Sequence, residues 1–184
     1  MPIRLHPSLK AFSLALLLSL PLMVSAQEAD DAARLDKALH HYTEAIKENP
    51  FSADAYLRRG VTYRNKKDYA AALADYDKAI AIDPVQPAAY NAKAWLLATC
   101  ADDAVRNPPM AMELAQKTNA LSPQPNMDYL DTLAAAHAAL GNFPAAMETL
   151  KTALALAEKA GQKETVADMQ KRMQSYQESK AWRQ

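Results

Sequence analysis

One spacing of residues recurs along this 184-residue chain and constrains its fold more than any other feature. A small residue is followed four positions later by a residue that is larger in three of four copies, and three positions after that by another small residue. In three copies a proline follows five positions later. The copies begin at Ala38, Ala72, Ala111 and Ala146, and the prolines are Pro50, Pro84 and Pro123. The first two prolines are 34 residues apart and the next two 39. A repeat of this length is typical of arrays of stacked helical units.

Composition supports helices and excludes several other classes of protein. The chain has 39 alanines and only 3 glycines. Alanine is the strongest helix former, and its small side chain allows two helices to approach closely. The few glycines argue against the phosphate-binding loops of nucleotide enzymes. The 21 basic residues balance the 21 acidic ones, so nothing in the net charge suggests a nucleic-acid partner.

The first complete unit identifies the kind of repeat. Tyr56, Arg59, Gly60 and Tyr63 precede the copy that begins at Ala72, and together they resemble the tetratricopeptide repeat (TPR). The resemblance implies an all-α solenoid of stacked antiparallel helix pairs. We expect a half-repeat helix in residues 27–52, three TPR units at 53–86, 87–125 and 126–158, and a capping helix with a tail in 159–184. In the capping helix, Val166, Met169, Met173 and Tyr176 share one face.

A longer match covers roughly residues 90–183. The segment from Trp95 to Asp102, with Arg106 and the run from Ala111 to Ala115, resembles a bacterial TPR subfamily with an LATCPD segment. The run from Leu130 to Phe143 resembles the LDTLAAAYAEAGDF repeat that follows it. Ala101 stands where the subfamily has proline, and His137 where it has tyrosine. We associate this subfamily with binding modules, so the resemblance concerns the fold more than the function.

The N-terminus has the features of a secretory signal peptide. Arg4 and Lys10 precede an apolar stretch of 14 residues from Ala11 to Val24, and a small residue, Ala26, ends the segment. Because a membrane-spanning helix needs about 20 apolar residues, we predict cleavage after Ala26 rather than a permanent anchor. The predicted location is the periplasm, with no membrane span in the mature chain.

The TPR resemblance also implies a binding surface. In stacked TPRs, certain positions of the first helix of each pair line a concave groove that holds a protein or peptide. Trp95 is the strongest candidate, because a partly exposed tryptophan is a frequent hot spot of binding. The alternative is that its ring only packs against Leu57 and Val61. The candidate residues are Leu57, Arg58, Val61, Arg64, Asn65, Asn91, Trp95, Asp128 and Asp131.

The groove residues also indicate the kind of partner. Some TPR proteins grip a terminal carboxylate with Lys, Asn and Arg, but here the matching positions hold other residues, such as Leu57, Val61 and Asp128. Arginines on the first repeat and aspartates on the third predict a groove with a basic end and an acidic end. We therefore predict a non-catalytic adaptor whose partner is a polypeptide segment of mixed charge with an apolar middle.

Two other functions are open at this point. An exposed tail at residues 180–183 would suit a structural subunit of a cell-envelope complex that docks through its ends. A small hydrolase or redox enzyme would rest only on Cys100 and the acidic loop around Asp102 and Asp103. We interpret Cys100 as a buried structural residue and that loop as a turn ordered by Arg106. His40 and His41 point about 100° apart on a helix, and we predict no metal, no cofactor and no catalytic residue.

Overall fold

The computed structural model describes the backbone of residues 12–184 and the side chains from Gln27 onward. Every regular element in that part of the chain is an α-helix. The eight helices are α1 (Phe12–Glu48), α2 (Ala53–Asn65), α3 (Tyr69–Ile82), α4 (Pro87–Thr99), α5 (Pro108–Leu121), α6 (Met127–Ala139), α7 (Phe143–Lys159) and α8 (Lys163–Gln177). The tightest packing joins α2 with α3, α4 with α5, and α6 with α7. The predicted all-α TPR solenoid is confirmed.

Local sequence signals set the helix boundaries. Helices α1, α3 and α5 each end two residues before the repeat prolines, which cannot continue the helical hydrogen-bond ladder. The carboxylate of Asp68 accepts a hydrogen bond from the Ala71 amide at 3.1 Å and caps α3. Asn142 caps α7 in the same way. Asn107 caps α5, whose first residue is Pro108.

Small residues lie where paired helices cross. The small residues of the recurring spacing in α3, α5 and α7 are all fully buried, from Ala72 to Ala153. Gly60 shows how close the approach is, since a Cβ at this position would lie 2.7 Å from Cε1 of the buried Tyr76. The spacing found in the sequence therefore reflects helix-to-helix contact, as the packing argument requires.

The two ends of the array differ. At one end α1 packs on α2, and it begins at Phe12, before the half-repeat predicted for residues 27–52. At the other end α8 packs on α7, and all four residues of its predicted apolar face contact the core. The predicted signal peptide, residues 1–26, lies outside the residues whose side chains are described, so its cleavage stays a prediction. Within the described part of the chain, no helix combines the length and apolarity needed to cross a membrane.

Candidate binding groove

The concave face holds an open groove of about 640 Å³. Helices α2, α4 and α6 supply most of its wall, and α1 and α8 add one residue each, Tyr42 and Arg172. Eight of the nine candidate residues line it: Leu57, Arg58, Val61, Arg64, Asn91, Trp95, Asp128 and Asp131. Asn65 is the exception. It is the last residue of α2 and lines a smaller cavity of about 160 Å³ beside the end of α4.

The charges in the groove are arranged differently from the sequence prediction. Arg58 pairs with Asp54 one helical turn away at 2.7 Å. Asp131 pairs with Arg172 of α8, whose Nη2 lies 2.7 Å from the carboxylate. The groove therefore does not have a wholly basic and a wholly acidic end. Among the described residues of the groove wall, Arg64 and Asp128 have no oppositely charged partner within ion-pair distance, and we call them the free charges. Arg64 Nη2 donates a hydrogen bond to the neighbouring Asn65 Oδ1 at 3.2 Å.

The Asp131–Arg172 pair is buried. Both side chains are at most 10% exposed, and Arg172 Nε donates a second hydrogen bond to the Asp131 carboxylate at 2.9 Å. Burial raises the pKa of Asp131 to about 6, and the attraction of Arg172 opposes this effect. Asp128 and Asp168 also raise this pKa. The pair fixes the position of α8 against α6 and forms part of the groove wall.

Trp95 lies at the boundary between the core and the groove. Its ring is half-buried and packs against the alanine-rich cluster around Ala94, Leu97 and Ala135. The guanidinium of Arg172 lies over the ring, 5.4 Å from its centroid. Trp95 is thus part of the core and of the groove wall at once. Its role as a binding hot spot stays a prediction.

Two amide oxygens in the groove wall have no hydrogen-bond donor. They are Oε1 of Gln86 and Oδ1 of Asn91, and both atoms are buried. A buried acceptor without a donor costs free energy, so these two atoms lower the stability of this part of the groove wall. Sequence reasoning found Asn91 but missed Gln86, which precedes α4. It also missed Arg172, because no local pattern connects a residue of α8 with this face.

Residues 180–184, here called the tail, are docked rather than free. The sequence predicted an exposed tail, but Ala181 and Trp182 are half-buried and pack against the core of the last unit. The tail then reaches the end of α4, where the Gln184 amide donates to the Thr99 carbonyl oxygen at 2.9 Å. This contact covers one edge of the concave face and leaves the main groove open.

The residues that suggested an enzyme have structural roles. Cys100 is 1% exposed at the end of α4. Arg106 donates to the carbonyl oxygens of Cys100 and Ala101 and pairs with Asp103, so it orders the loop between α4 and α5. In the described part of the chain, no three His, Cys, Asp or Glu side chains lie close enough together to hold a metal ion.

Comparison with known proteins identifies the family. Two TPR family models match the chain, one over residues 24–87 and the other over residues 127–160. Both matches fall on helix pairs that the structure places in the solenoid. The chain is a tetratricopeptide-repeat protein. In such proteins each repeat contacts only the repeats next to it, and the stacked repeats present an extended concave surface.

Solved structures of other TPR proteins have the same fold. PilW, described as a widely conserved type IV pilus biogenesis factor, superposes with a TM-score of 0.61 at 23% identity. The match covers 83% of this TPR protein and 74% of PilW. A thermophilic TPR protein from Thermus thermophilus gives 0.60 at 22% identity, covering 82% and 80%. MamA gives 0.55 at 16% identity, covering 83% and 92%. At these identities the likeness concerns the fold alone.

One curated protein resembles a short part of the TPR chain. It is the UDP-N-acetylglucosamine–peptide N-acetylglucosaminyltransferase of Giardia intestinalis, 44% identical over 48 residues. The aligned segment is 26% of this chain but only 3% of that protein. A match of this extent carries no information about transferase activity in this chain.

Proposed function

We propose that this TPR protein is a non-catalytic adaptor that binds a polypeptide segment of mixed charge in its concave groove. The observation that carries the proposal is the open groove of about 640 Å³, whose wall combines apolar side chains with two unpaired charges of opposite sign. A groove of this kind suits a helix or an extended segment, the two common modes of peptide recognition.

The positions of the free charges give the segment a direction. Arg64 lies in the last turn of α2, and Asp128 lies in the first turn of α6. Apolar groups, including Leu57, Val61 and Trp95, line the space between these helices. The proposed ligand therefore places an acidic side chain at Arg64, a basic one at Asp128 and apolar residues between them.

Charge reversal at the two free residues tests the proposal with little risk to folding. We expect the double variant Arg64→Glu/Asp128→Lys to lose the partners that the native protein captures, measured by quantitative mass spectrometry of an affinity pull-down. The matched control is Lys78→Glu/Glu113→Lys, which also reverses one positive and one negative charge. Both sites are exposed, in α3 and α5, away from the groove. If both variants retain every partner of the native protein, the groove is not the binding surface.

We further propose that the protein acts in the periplasm. The support is the N-terminal sequence, with its basic residues, short apolar stretch and small residue at Ala26. The role that PilW's description gives it, in type IV pilus biogenesis, suggests envelope assemblies as the first partners to test. Fractionation of cells that express the protein with a C-terminal tag tests the location. Recovery in the cytoplasm at full length would contradict it.

A second candidate function is docking through the turns between units. Phe51 is 80% exposed and Val85 68%, and each follows one of the repeat prolines. They occupy the same position in successive units, and this recurrence is the observation behind the second candidate. The double variant Phe51→Ser/Val85→Ser distinguishes the two candidates, because it removes this surface and leaves the groove wall unchanged. Loss of partners in this variant, with normal capture by the Arg64/Asp128 variant, would favour docking through the turns.

A further inference from the structure

The end of α4 offers main-chain groups to an extended polypeptide. The Thr99 carbonyl oxygen, which helical geometry leaves without a partner, accepts from the Gln184 amide at 2.9 Å. Two residues later, the Ala101 amide donates to the Gln184 carbonyl oxygen at 3.0 Å. The Gln184 side-chain amide also donates to Thr99 Oγ1 at 3.1 Å. Paired main-chain hydrogen bonds of this kind resemble the addition of a strand. They recognise the backbone of the bound segment and not its side chains.

Side-chain contacts add selectivity to this site. The Trp182 ring lies beside the Arg172 guanidinium, whose central carbon is 5.9 Å from the ring centroid and 5.4 Å from that of Trp95. The next residue, Arg183, donates to the Ala98 carbonyl oxygen at 3.4 Å. The site thus holds an aromatic side chain followed directly by a cation. Arg172 connects it to the main groove, because the same guanidinium forms part of the groove wall.

The tail is held by few contacts. Helix α8 ends at Gln177, and Ser179 adopts a left-handed backbone conformation with φ of 56° before the tail begins. Only Ala181 and Trp182 are half-buried, while Lys180, Arg183 and Gln184 are exposed. A cavity of about 160 Å³ lies beside Gln184 and is lined also by Tyr69 and Leu96. The occupant therefore depends on one large side chain and a few hydrogen bonds.

We propose that the end of α4, together with Arg172, is a second binding site for an extended polypeptide segment that carries adjacent tryptophan and arginine, and that the tail occupies it in cis. A partner segment of this chemistry binds by displacing the tail. The inference extends the proposed function, but it uses Thr99, Ala101 and Arg172 rather than the free charges Arg64 and Asp128. The two can therefore fail separately.

The tail itself is the probe. A fluorescent peptide with the sequence of residues 178–184 is titrated by anisotropy against the full chain, its Trp182→Ala variant and a chain that ends at Ser179. We expect the shortened chain to bind the peptide at least tenfold more tightly than the full chain, whose site is filled, with Trp182→Ala between them. A peptide with alanine in place of tryptophan should bind the shortened chain at least tenfold more weakly.

The outcomes separate an exchangeable occupant from a structural cap. If the folded shortened chain binds the peptide no better than the full chain, the tail is a cap only and the proposal is wrong. If the shortened chain does not fold, the Trp182→Ala variant takes its place. The proposal is then wrong if this variant binds the peptide no better than the full chain does. Size-exclusion chromatography of the shortened chain with intact protein tests exchange with the tail of a second copy. If the Arg64→Glu/Asp128→Lys variant captures every partner of the native protein, the groove proposal is contradicted, and the result of the peptide titration is unaffected.

Discussion

Replacement of Arg172 by methionine tests the buried ion pair between α6 and α8. Arg172 is 8% exposed and donates from Nε and Nη2 to the Asp131 carboxylate, at 2.9 and 2.7 Å. Methionine keeps an unbranched apolar side chain but removes the cation. Removal of one partner from a buried pair leaves an uncompensated charge and costs about 3–5 kcal/mol. We therefore expect the free energy of unfolding to fall by about 3–5 kcal/mol near neutral pH, a large part of the stability of a domain of this size.

The loss should depend on pH in a defined direction. Burial raises the pKa of Asp131 to about 6, above its ordinary value of 3.8, so the folded state binds this proton more readily than the unfolded state. Protonation therefore stabilises the fold, and this contribution is full below the ordinary pKa and is lost as the pH rises through about 6. Without Arg172 the pKa rises further. At about pH 5 the carboxyl is largely neutral, so the substitution should cost less free energy of unfolding than at about pH 7.5.

The assay is urea-induced unfolding followed by far-UV circular dichroism at the two pH values. Lys171→Met is the matched control, because this neighbouring side chain is 65% exposed, and it should change the stability by less than about 0.5 kcal/mol. The double variant Asp131→Leu/Arg172→Met should recover most of the loss, since an apolar replacement of a buried pair is often neutral. Equal losses at both pH values, with no recovery in the double variant, would refute the electrostatic explanation.

Three further predictions concern the core, the cysteine and the N-terminus. Gly60→Ala should lower the free energy of unfolding by about 1–3 kcal/mol despite alanine's higher helix propensity, because its Cβ would lie 2.7 Å from the Tyr76 ring; a urea titration showing equal or greater stability would contradict this. The Cys100 thiol should react with a thiol reagent only after denaturation, since it is 1% exposed; rapid labelling of the native protein would contradict its burial. N-terminal sequencing of protein exported by a bacterial host should begin at Gln27, and an intact N-terminus would contradict cleavage.

The fold was predictable because its signals are local. The buried alanines of the recurring spacing, the close approach at Gly60 and the caps Asp68 and Asn142 each act within one helix pair. Most of the groove wall was predictable for the same reason, because each position follows from its place in a repeat. Asn65 was the exception, since it lies at the very end of α2, beside the smaller cavity.

The contacts between distant parts of the chain were not predictable. Asp131 and Arg172 are 41 residues apart, and their meeting depends on the rotation of α8 about its axis. Thr99 and Gln184 are 85 residues apart and contact each other partly through main-chain atoms, which leave no pattern in a sequence. The first contact pairs the charge of Asp131 in the groove, and the second docks the tail that the sequence predicted to be exposed. The electrostatics of the site is therefore a tertiary property.

The array is closed at one end and open at the other, and this asymmetry affects how the groove loses its shape. In the described part of the chain, the main packing partner of α1 is α2, whereas α8 and the tail cover the opposite end. In a linear array each unit depends on its neighbours, so residues 27–48 should exchange amide hydrogens for deuterium earliest. Tyr42 of α1 borders the groove, so the first opening event removes this part of its wall. A ligand that touches Tyr42 would slow exchange throughout this helix, while one confined to α4 and α6 would not.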